Sequence, residues 1–337
     1  ADTNQFKRAL AGARTGGAHR CSMNKQALQD IHGVLLLDKP SGWGSTDALN
    51  RVKRLLGARK AGHGGTLDPM ATGLLPLAFG LATRFSHESL EAQKTYSARI
   101  LFGMTTDSAD ADGRPLASLP VSFDEAALRR VLATFIGDLD QVPPMFSALK
   151  RDGKPLYEYA RAGETVEREA RRVRIVSLDL LALDAVPGVP AGDPGSLQAD
   201  IRVTCTKGTY IRTLAEDIGA GLGCGAHLIA LRRERIGALS IDKAITIAEF
   251  EALEPDARLA RLMPAEVLIS ALPAVVLDEP HARRFLHGQR LRLAAQCEAP
   301  DTAAARRVRV YAGSDLIGTG TYDDGLLAPL RLIAQGA

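Results

Sequence analysis

Chemistry-bearing residues concentrate in one short stretch of this 337-residue chain, Gly62-His-Gly-Gly-Thr-Leu-Asp-Pro-Met-Ala-Thr-Gly73. Asp68 supplies a carboxylate that can serve as a nucleophile or as a charge stabiliser. His63 adds a second titratable group, and glycines 62, 64 and 65 let the backbone approach a ligand closely. Taken alone, Asp68 before Pro69 reads as a helix N-cap with proline at the first helical position. The upstream sequence weighs against that. Between Arg51 and His63 stand five basic side chains (51, 53, 54, 59 and 60) and no acid. On a helix this is usually a solvated face; directly before a glycine-rich loop it becomes a candidate phosphate-facing surface.

Other chemistries fail motif by motif. In Gly219-Ala-Gly-Leu-Gly-Cys-Gly225 the third glycine of G-x-G-x-x-G falls on Cys224, and a helix rather than a strand precedes the run. A helix C-terminus is the better reading. Asp110-Ala-Asp112-Gly113 fails as a calcium loop, because the first ligand position is Ser108 and the twelfth is Leu119. No G-x-x-x-x-G-K-[ST], H-E-x-x-H or G-x-S-x-G occurs, and Cys21, Cys205, Cys224 and Cys297 form no Cys-x-x-Cys pair. ATP, zinc and serine-hydrolase chemistry therefore lack support.

The Asp68 loop resembles the G-H-T-G-x-L-D-P-x-A-T-G signature of the bacterial tRNA pseudouridine-55 synthases, the TruB family. Matching blocks extend the resemblance over nearly all of residues 31–269. They are 33–42 (GVLLLDKPSG), 94–96 (KTY), 105–113 (TTDSADADG), 141–150 (QVPPMFSALK), 156–161 (LYEYAR), 207–212 (KGTYIR) and 223–233 (GCGAHLIALRR). Further on, 272–277 and 284–289 resemble the family's PUA-type RNA-binding module. Three positions depart from the pattern: Gly64 where threonine is common, Arg84 where lysine is usual, and Gly44 where serine or threonine is frequent.

The resemblance implies isomerisation of the T-loop uridine at tRNA position 55. The N-glycosidic bond breaks, the uracil rotates, and it rejoins through carbon without a cofactor. Asp68 is implied as the catalytic carboxylate and Arg212 as its partner. An ordinary aspartate is already ionised at pH 7. The arginine matters once a flipped base covers and desolvates the site. Tyr96 is implied as the stacking surface, worth about 1–3 kcal/mol per base, and as a group able to take the proton from the base carbon. Tyr210 and Leu231 are expected to line the rest of the pocket, with plain core packing as the alternative. A uridine inside a folded loop must be flipped out, and His63 is the candidate to fill the vacated space. Lys39, Arg84 and the 51–60 cluster are expected RNA-backbone contacts, which position without specifying sequence. The expected partner is tRNA through its T-stem-loop, bound by a monomer, with no membrane and no nucleotide cofactor. The competing reading is an RNA-binding or tRNA-folding protein in which binding is the main role. Asp68, Tyr96 and Arg212 favour the enzyme, since a pure binder of a polyanion needs no carboxylate in its site.

Periodicity supplies the framework that holds these residues. The apolar run 33–38 predicts a buried strand, and Leu49, Val52, Leu55 and Leu56 predict a helix. Alternation predicts strands over 96–102 and 198–205. Ser122 with Glu125 predicts a capping box before a helix carrying Leu128, Val131, Leu132 and Phe135, and Thr246 with Glu249 predicts another. A helix through Ile211, Leu214, Ile218 and Leu222 carries Arg212. Residues 186–196 are a proline- and glycine-rich hairpin connection. Short β-like runs at 275–277, 308–311 and 316–321 mark a change of character. With the resemblance, this gives an α+β pseudouridine-synthase fold: a mixed, largely antiparallel central sheet flanked by helices, plus a small C-terminal β-barrel-like PUA module. The expected division is a flexible extension at 1–30, a catalytic domain at 31–269 with a mobile arm at 143–174, and the module at 270–337. The balance of 42 basic against 39 acidic residues, a net +3, excludes a uniformly basic protein but not nucleic acid, because binding depends on where charge sits. No apolar run approaches the ~20 residues of a membrane span, and a cytoplasmic location is expected.

Overall fold

The computed structural model describes residues 28–293 and 306–333. Most of the 1–30 extension lies outside the described residues, as do Cys21 and Cys297; within it, Gln29 bridges to Ala58. The chain runs through β1 (Gly33–Lys39), α1 (Ser45–Leu56), β2 (Ala61–His63), β3 (Thr72–Phe79), a 3-10 helix (Gly80–Phe85), α2 (Ser86–Glu91) and β4 (Lys94–Phe102). A hairpin of β5 (Met104–Thr106) and β6 (Pro115–Ser118) precedes α3 (Glu125–Thr134) and β7 (Gly137–Gln141). A second hairpin, β8 (Lys150–Arg151) and β9 (Lys154–Pro155), and α4 (Leu156–Arg161) lead to β10 (Arg171–Ala185) and β11 (Leu197–Cys205). Then come α5 (Ile211–Gly221), β12 (Ala226–Ile236), β13 (Leu239–Ser240), β14 (Ile245–Thr246), α6 (Ile247–Ala252) and α7 (Pro255–Ala260).

The central sheet has the order β14-β1-β3-β12-β4-β11-β10-β7, with β2 on β3 and β13 on β12. Its β1–β14 and β3–β12 pairs are parallel and the rest antiparallel. The expected mixed, largely antiparallel sheet is thus present. At one end both faces are covered. Leu35 and Leu37 of β1 pack with Leu49 and Val52 of α1 and Phe250 of α6, while Val34 and Leu36 pack with Phe85 and Leu268. Double burial accounts for the unbroken apolar run. At the centre only one face is covered. Tyr96, Ala98, Ile100 and Phe102 of β4 meet Leu214 and Ile218 of α5, each burial of a Leu or Ile contributing about 1.5–3 kcal/mol. The opposite face carries ion pairs, Arg99–Asp200 at 2.6 Å, Arg202–Glu234 at 3.1 Å and Arg232–Asp38 at 2.6 Å. A one-residue slip would exchange these faces, so the pattern fixes the register.

The C-terminal part comprises β15 (Ala274–Leu277), α8 (Glu279–Leu286), β16 (Leu291–Arg292), β17 (Arg306–Ala312), β18 (Asp315–Asp323) and β19 (Leu326–Leu332). Its five strands, in the order β15-β17-β18-β19-β16, curl around Phe285, Val308, Val310, Ile317 and Leu327. Two local expectations change. Asp124, not Ser122, caps α3 by accepting from the Ala127 N–H at 2.7 Å. The Asp68-Pro69 step opens no helix; it bends into β3. The Thr246–Glu249 capping box is present as expected.

Candidate active site

Asp68 sits in the loop between β2 and β3, which three neighbours brace. Ser45, buried at the start of α1, donates its hydroxyl to the Leu67 carbonyl at 3.0 Å and accepts from the Leu67 N–H at 2.8 Å. The Gly42 N–H donates to the Pro69 carbonyl at 2.8 Å. Lys39, fully enclosed, donates from Nζ to the carbonyls of Pro40, Trp43 and Pro69 at 2.9, 2.7 and 3.3 Å. Gly73 closes the loop with φ +101, and a Cβ there would lie 2.4 Å from the Arg233 carbonyl oxygen. Only glycine fits that approach.

Arg212 enters from the first turn of α5 with its side chain 3% exposed. Its Nη1 donates to the Ser108 carbonyl at 2.9 Å and its Nη2 to the Phe146 carbonyl at 2.7 Å. That leaves Nε for carboxylates: Asp68 Oδ2 at 2.9 Å and Asp110 Oδ2 at 3.5 Å. Segments far apart in sequence therefore fix one guanidinium under one carboxylate. Burial pushes the Asp68 carboxyl up; Arg212 and Lys39 oppose this, and Asp110 adds to it. The two carboxylates share a guanidinium, which does not suit a metal, and no cluster of three or more His, Cys, Asp or Glu fit for a metal occurs among the described residues.

Tyr96 is buried on β4 directly opposite Arg233 of β12. Arg233 is 1% exposed and donates to the carbonyls of Leu74, Gly65 and Thr66 at 2.8, 3.0 and 3.4 Å, with no carboxylate beside it among the described residues. Burial pushes the Tyr96 phenol up, and the guanidinium counters it. Leu231 is buried in the same cluster as Tyr96. Tyr210 precedes α5, its backbone clamped by buried Gln141, which accepts from the Tyr210 N–H at 2.7 Å and donates to its carbonyl at 3.0 Å. His63 lies half-buried at the end of β2, its Nδ1 without a partner among the described residues, and burial beside Arg233 lowers its pKa.

Other expected residues lie elsewhere. Enclosure of Lys39 removes it from an RNA-facing surface; it braces the Asp68 loop instead. Arg84 donates to the Leu332 carbonyl of β19. In the basic cluster Arg51 pairs with Glu251 and Arg59 with Asp30, acids the local sequence does not contain. Asp110 and Arg233 join the site although sequence reasoning does not single them out. The matching blocks 105–113 and 223–233 hold the one signal for each, and nothing in the periodicity marks Arg233 as buried. Two clefts of about 550 and 480 Å³ involve Ser97, Arg99, Asp200 and Arg232, and Asp38, Trp43 and Glu251, and neither is lined by Asp68, Tyr96 or Arg212. The Asp68 side chain is 37% exposed.

The chain is similar to known proteins over most of its length. Residues 53–211 match the TruB family pseudouridylate synthase N-terminal domain, 212–270 the tRNA pseudouridylate synthase B C-terminal domain, and 273–333 the pseudouridine synthase II TruB C-terminal region. A tRNA pseudouridine synthase B of Ralstonia nicotianae is 54% identical over 314 residues, covering 92% of this chain and 96% of the relative. One of Burkholderia mallei is 55% identical over 312 residues, covering 92% of this chain and all of the relative. Among solved structures, a Cbf5-Nop10-Gar1 complex superposes with TM-score 0.65 at 25% identity, covering 88% of this chain and 79% of its own. An H/ACA RNP bound to a substrate RNA containing 2'-deoxyuridine shares the fold, with TM-score 0.66 at 23% identity over 90% and 86% of the two chains.

Proposed function

The chain belongs to the TruB family of pseudouridine synthases, and from that premise we propose that it acts, as a cytoplasmic monomer, on the T-loop uridine at position 55 of tRNA. It is an isomerase that converts uridine to pseudouridine in tRNA. The observation that carries the site assignment is the 2.9 Å pairing of Asp68 with a buried Arg212 whose other nitrogens are held by backbone carbonyls.

In the proposed sequence the uridine leaves its stack, at a cost of a few kcal/mol, and His63 fills the gap. The base lies against Tyr96, with Leu231 and Tyr210 bounding it. Asp68 acts as nucleophile or charge stabiliser while the bond from base N1 to C1′ breaks. The uracil turns, and its C5 bonds to C1′. The C5 proton then leaves, and its bonding pair returns to the ring. Tyr96 can receive that proton only as phenolate, a form that burial disfavours and the Arg233 cation favours. A base covering Asp68 removes water and raises the energy of its charge; a fixed guanidinium limits that rise. The fully liganded Arg212 supports such a preorganised role. Lone binding without turnover has no comparable support.

The test is to incubate the full chain with an unmodified tRNA transcript and map pseudouridine by carbodiimide-dependent primer extension. A single product at position 55, reproduced on an isolated T-stem-loop, is expected. A product at another position, or none on the T-stem-loop, would overturn the assignment.

A further inference from the structure

Helix α2 is short, yet its last four residues reach separate parts of the molecule. Glu88, with its side chain 9% exposed, is ion-paired with Arg307 on β17 of the C-terminal sheet. Ser89 is buried directly beneath Gly64: a Cβ built on Gly64 would lie 2.7 Å from the Ser89 Cβ. The Ser89 hydroxyl has no hydrogen-bond partner among the described residues, so it meets Gly64 by packing alone. Leu90 lies 3.6 Å from the corresponding point on Gly65. Glu91 is ion-paired with Lys207, in the segment that leads to Tyr210 and Arg212. Past the end of the helix, the ammonium of Lys94, the first residue of β4, donates to the carbonyls of Leu90 and Ala92 at 2.8 and 2.6 Å, two residues ahead of Tyr96. Immediately before α2, Arg84 donates to the Leu332 carbonyl of β19. The segment 84–94 therefore touches the module through Arg84 and Glu88, and the segments leading to Asp68 and to Arg212 through Ser89, Leu90 and Glu91.

We propose that α2 is a strut through which the C-terminal module sets the geometry of the two catalytic loops, with Glu88 and Arg307 as its positioning pair. The substitution of glycine for the commoner threonine at position 64 belongs to this contact, because Ser89 occupies the space a larger residue would need. Close-packed contacts transmit a displacement rather than absorb it. A shift of α2 must therefore move Gly64 and Gly65, and with them the loop holding His63 and Asp68. The pair is also suited to holding α2 in place. Glu88 is nearly desolvated, so losing Arg307 strands a buried carboxylate that regains water only if the helix moves. RNA bound across the module and the Asp68 loop would load this contact at the moment the base is flipped.

This proposal rests on the catalytic reading of the Asp68 loop, and the experiment separates the two. Single-turnover release of tritium from C5-labelled T-stem-loop RNA is measured at saturating enzyme, together with RNA affinity and thermal unfolding. Arg307→Met is expected to slow the single-turnover step about tenfold or more, as small misplacements near reacting atoms do, while affinity stays within about twofold. The exchanged pair, Glu88→Arg with Arg307→Glu, should recover most of the rate. Ser89→Val leaves the ion pair intact but crowds Gly64, and should slow the same step in a folded protein. If Arg307→Met does not fold, the exchanged pair and Ser89→Val carry the test. Weakened binding at an unchanged single-turnover rate would overturn the strut and make Arg307 an RNA contact. Unchanged rates in Ser89→Val would overturn it as well. Failure of the wild-type chain to release tritium would instead defeat the proposed function itself.

Discussion

At the scale of single residues, the site is organised by how much it costs to bury a charge. Asp68 is pushed up by burial and by Asp110 and pulled back by Arg212 and Lys39. Its ionised form is lost as pH falls, so kcat/KM should drop on the acid side at a pH above the ordinary carboxylate range. Asp110→Asn removes the neighbouring negative charge and should move that limb to lower pH; an unmoved limb would mean that Asp68 does not feel Asp110. Lys39 gives a prediction of opposite sense, its ammonium being pushed down to about 8 by burial from an ordinary 10.5. Between those values the unfolded chain keeps a proton that the folded protein has released, so this residue makes stability rise with pH across that window. In urea unfolding, wild type should gain on Lys39→Met between about pH 8 and 10, the range set by these two pKa values. A constant difference would show that the lysine is not held as the geometry implies. Tyr96→Phe should keep stacking and allow rejoining through carbon, yet fail to release the C5 proton. Normal tritium release by this variant would remove the proposed base role.

At the scale of elements, the loop between β2 and β3 is where backbone geometry matters most. Gly73→Ala places a methyl against the Arg233 backbone at a φ that L-residues rarely adopt, and should cost about 2 kcal/mol or more. Gly62→Ala, with open space around it and no left-handed φ, should stay within about 0.5 kcal/mol. Equal losses in urea unfolding would contradict the close approach at Gly73. Much at this scale is legible in the sequence. The run 33–38 reads as a buried strand because both its faces are covered, and β4 and β11 read correctly because only one of theirs is. Residues 219–225 read as a helix end, as found. The cap of α3 falls at Asp124 rather than Ser122 because both are competent cap residues, and only the path of the chain chooses between them. The partners of Lys39, Arg84 and Arg233 are not legible. Each is a backbone carbonyl brought in by tertiary packing, and a carbonyl leaves no mark on residue type.

At the scale of the whole molecule, the net +3 conceals local order. Two of the five basic residues between 51 and 60 are paired with Glu251 and Asp30, and exposed pairs of this kind add little stability. Lys53, Arg54 and Lys60, which have no ion pair among the described residues, are the better candidates for RNA phosphates. Their joint replacement by glutamine should weaken binding alike for all tRNA sequences. It should reduce the salt slope by about one for each phosphate left without its cation, while the rate at saturating RNA is kept. A lower rate with unchanged affinity would place them in the chemistry instead. No helix among the described residues is long and apolar enough to cross a membrane. The C-terminal sheet meets the body through Arg84 and Arg307, so its removal is expected to affect turnover as well as binding.

The central claim is that Asp68, held by Arg212, carries the chemistry. Its most direct test is tritium release from C5-labelled uridine in a T-stem-loop, comparing wild type with Asp68→Asn at equal RNA occupancy. The wild-type chain should release label, and the variant should bind the RNA and release none. Normal release by Asp68→Asn would contradict the account.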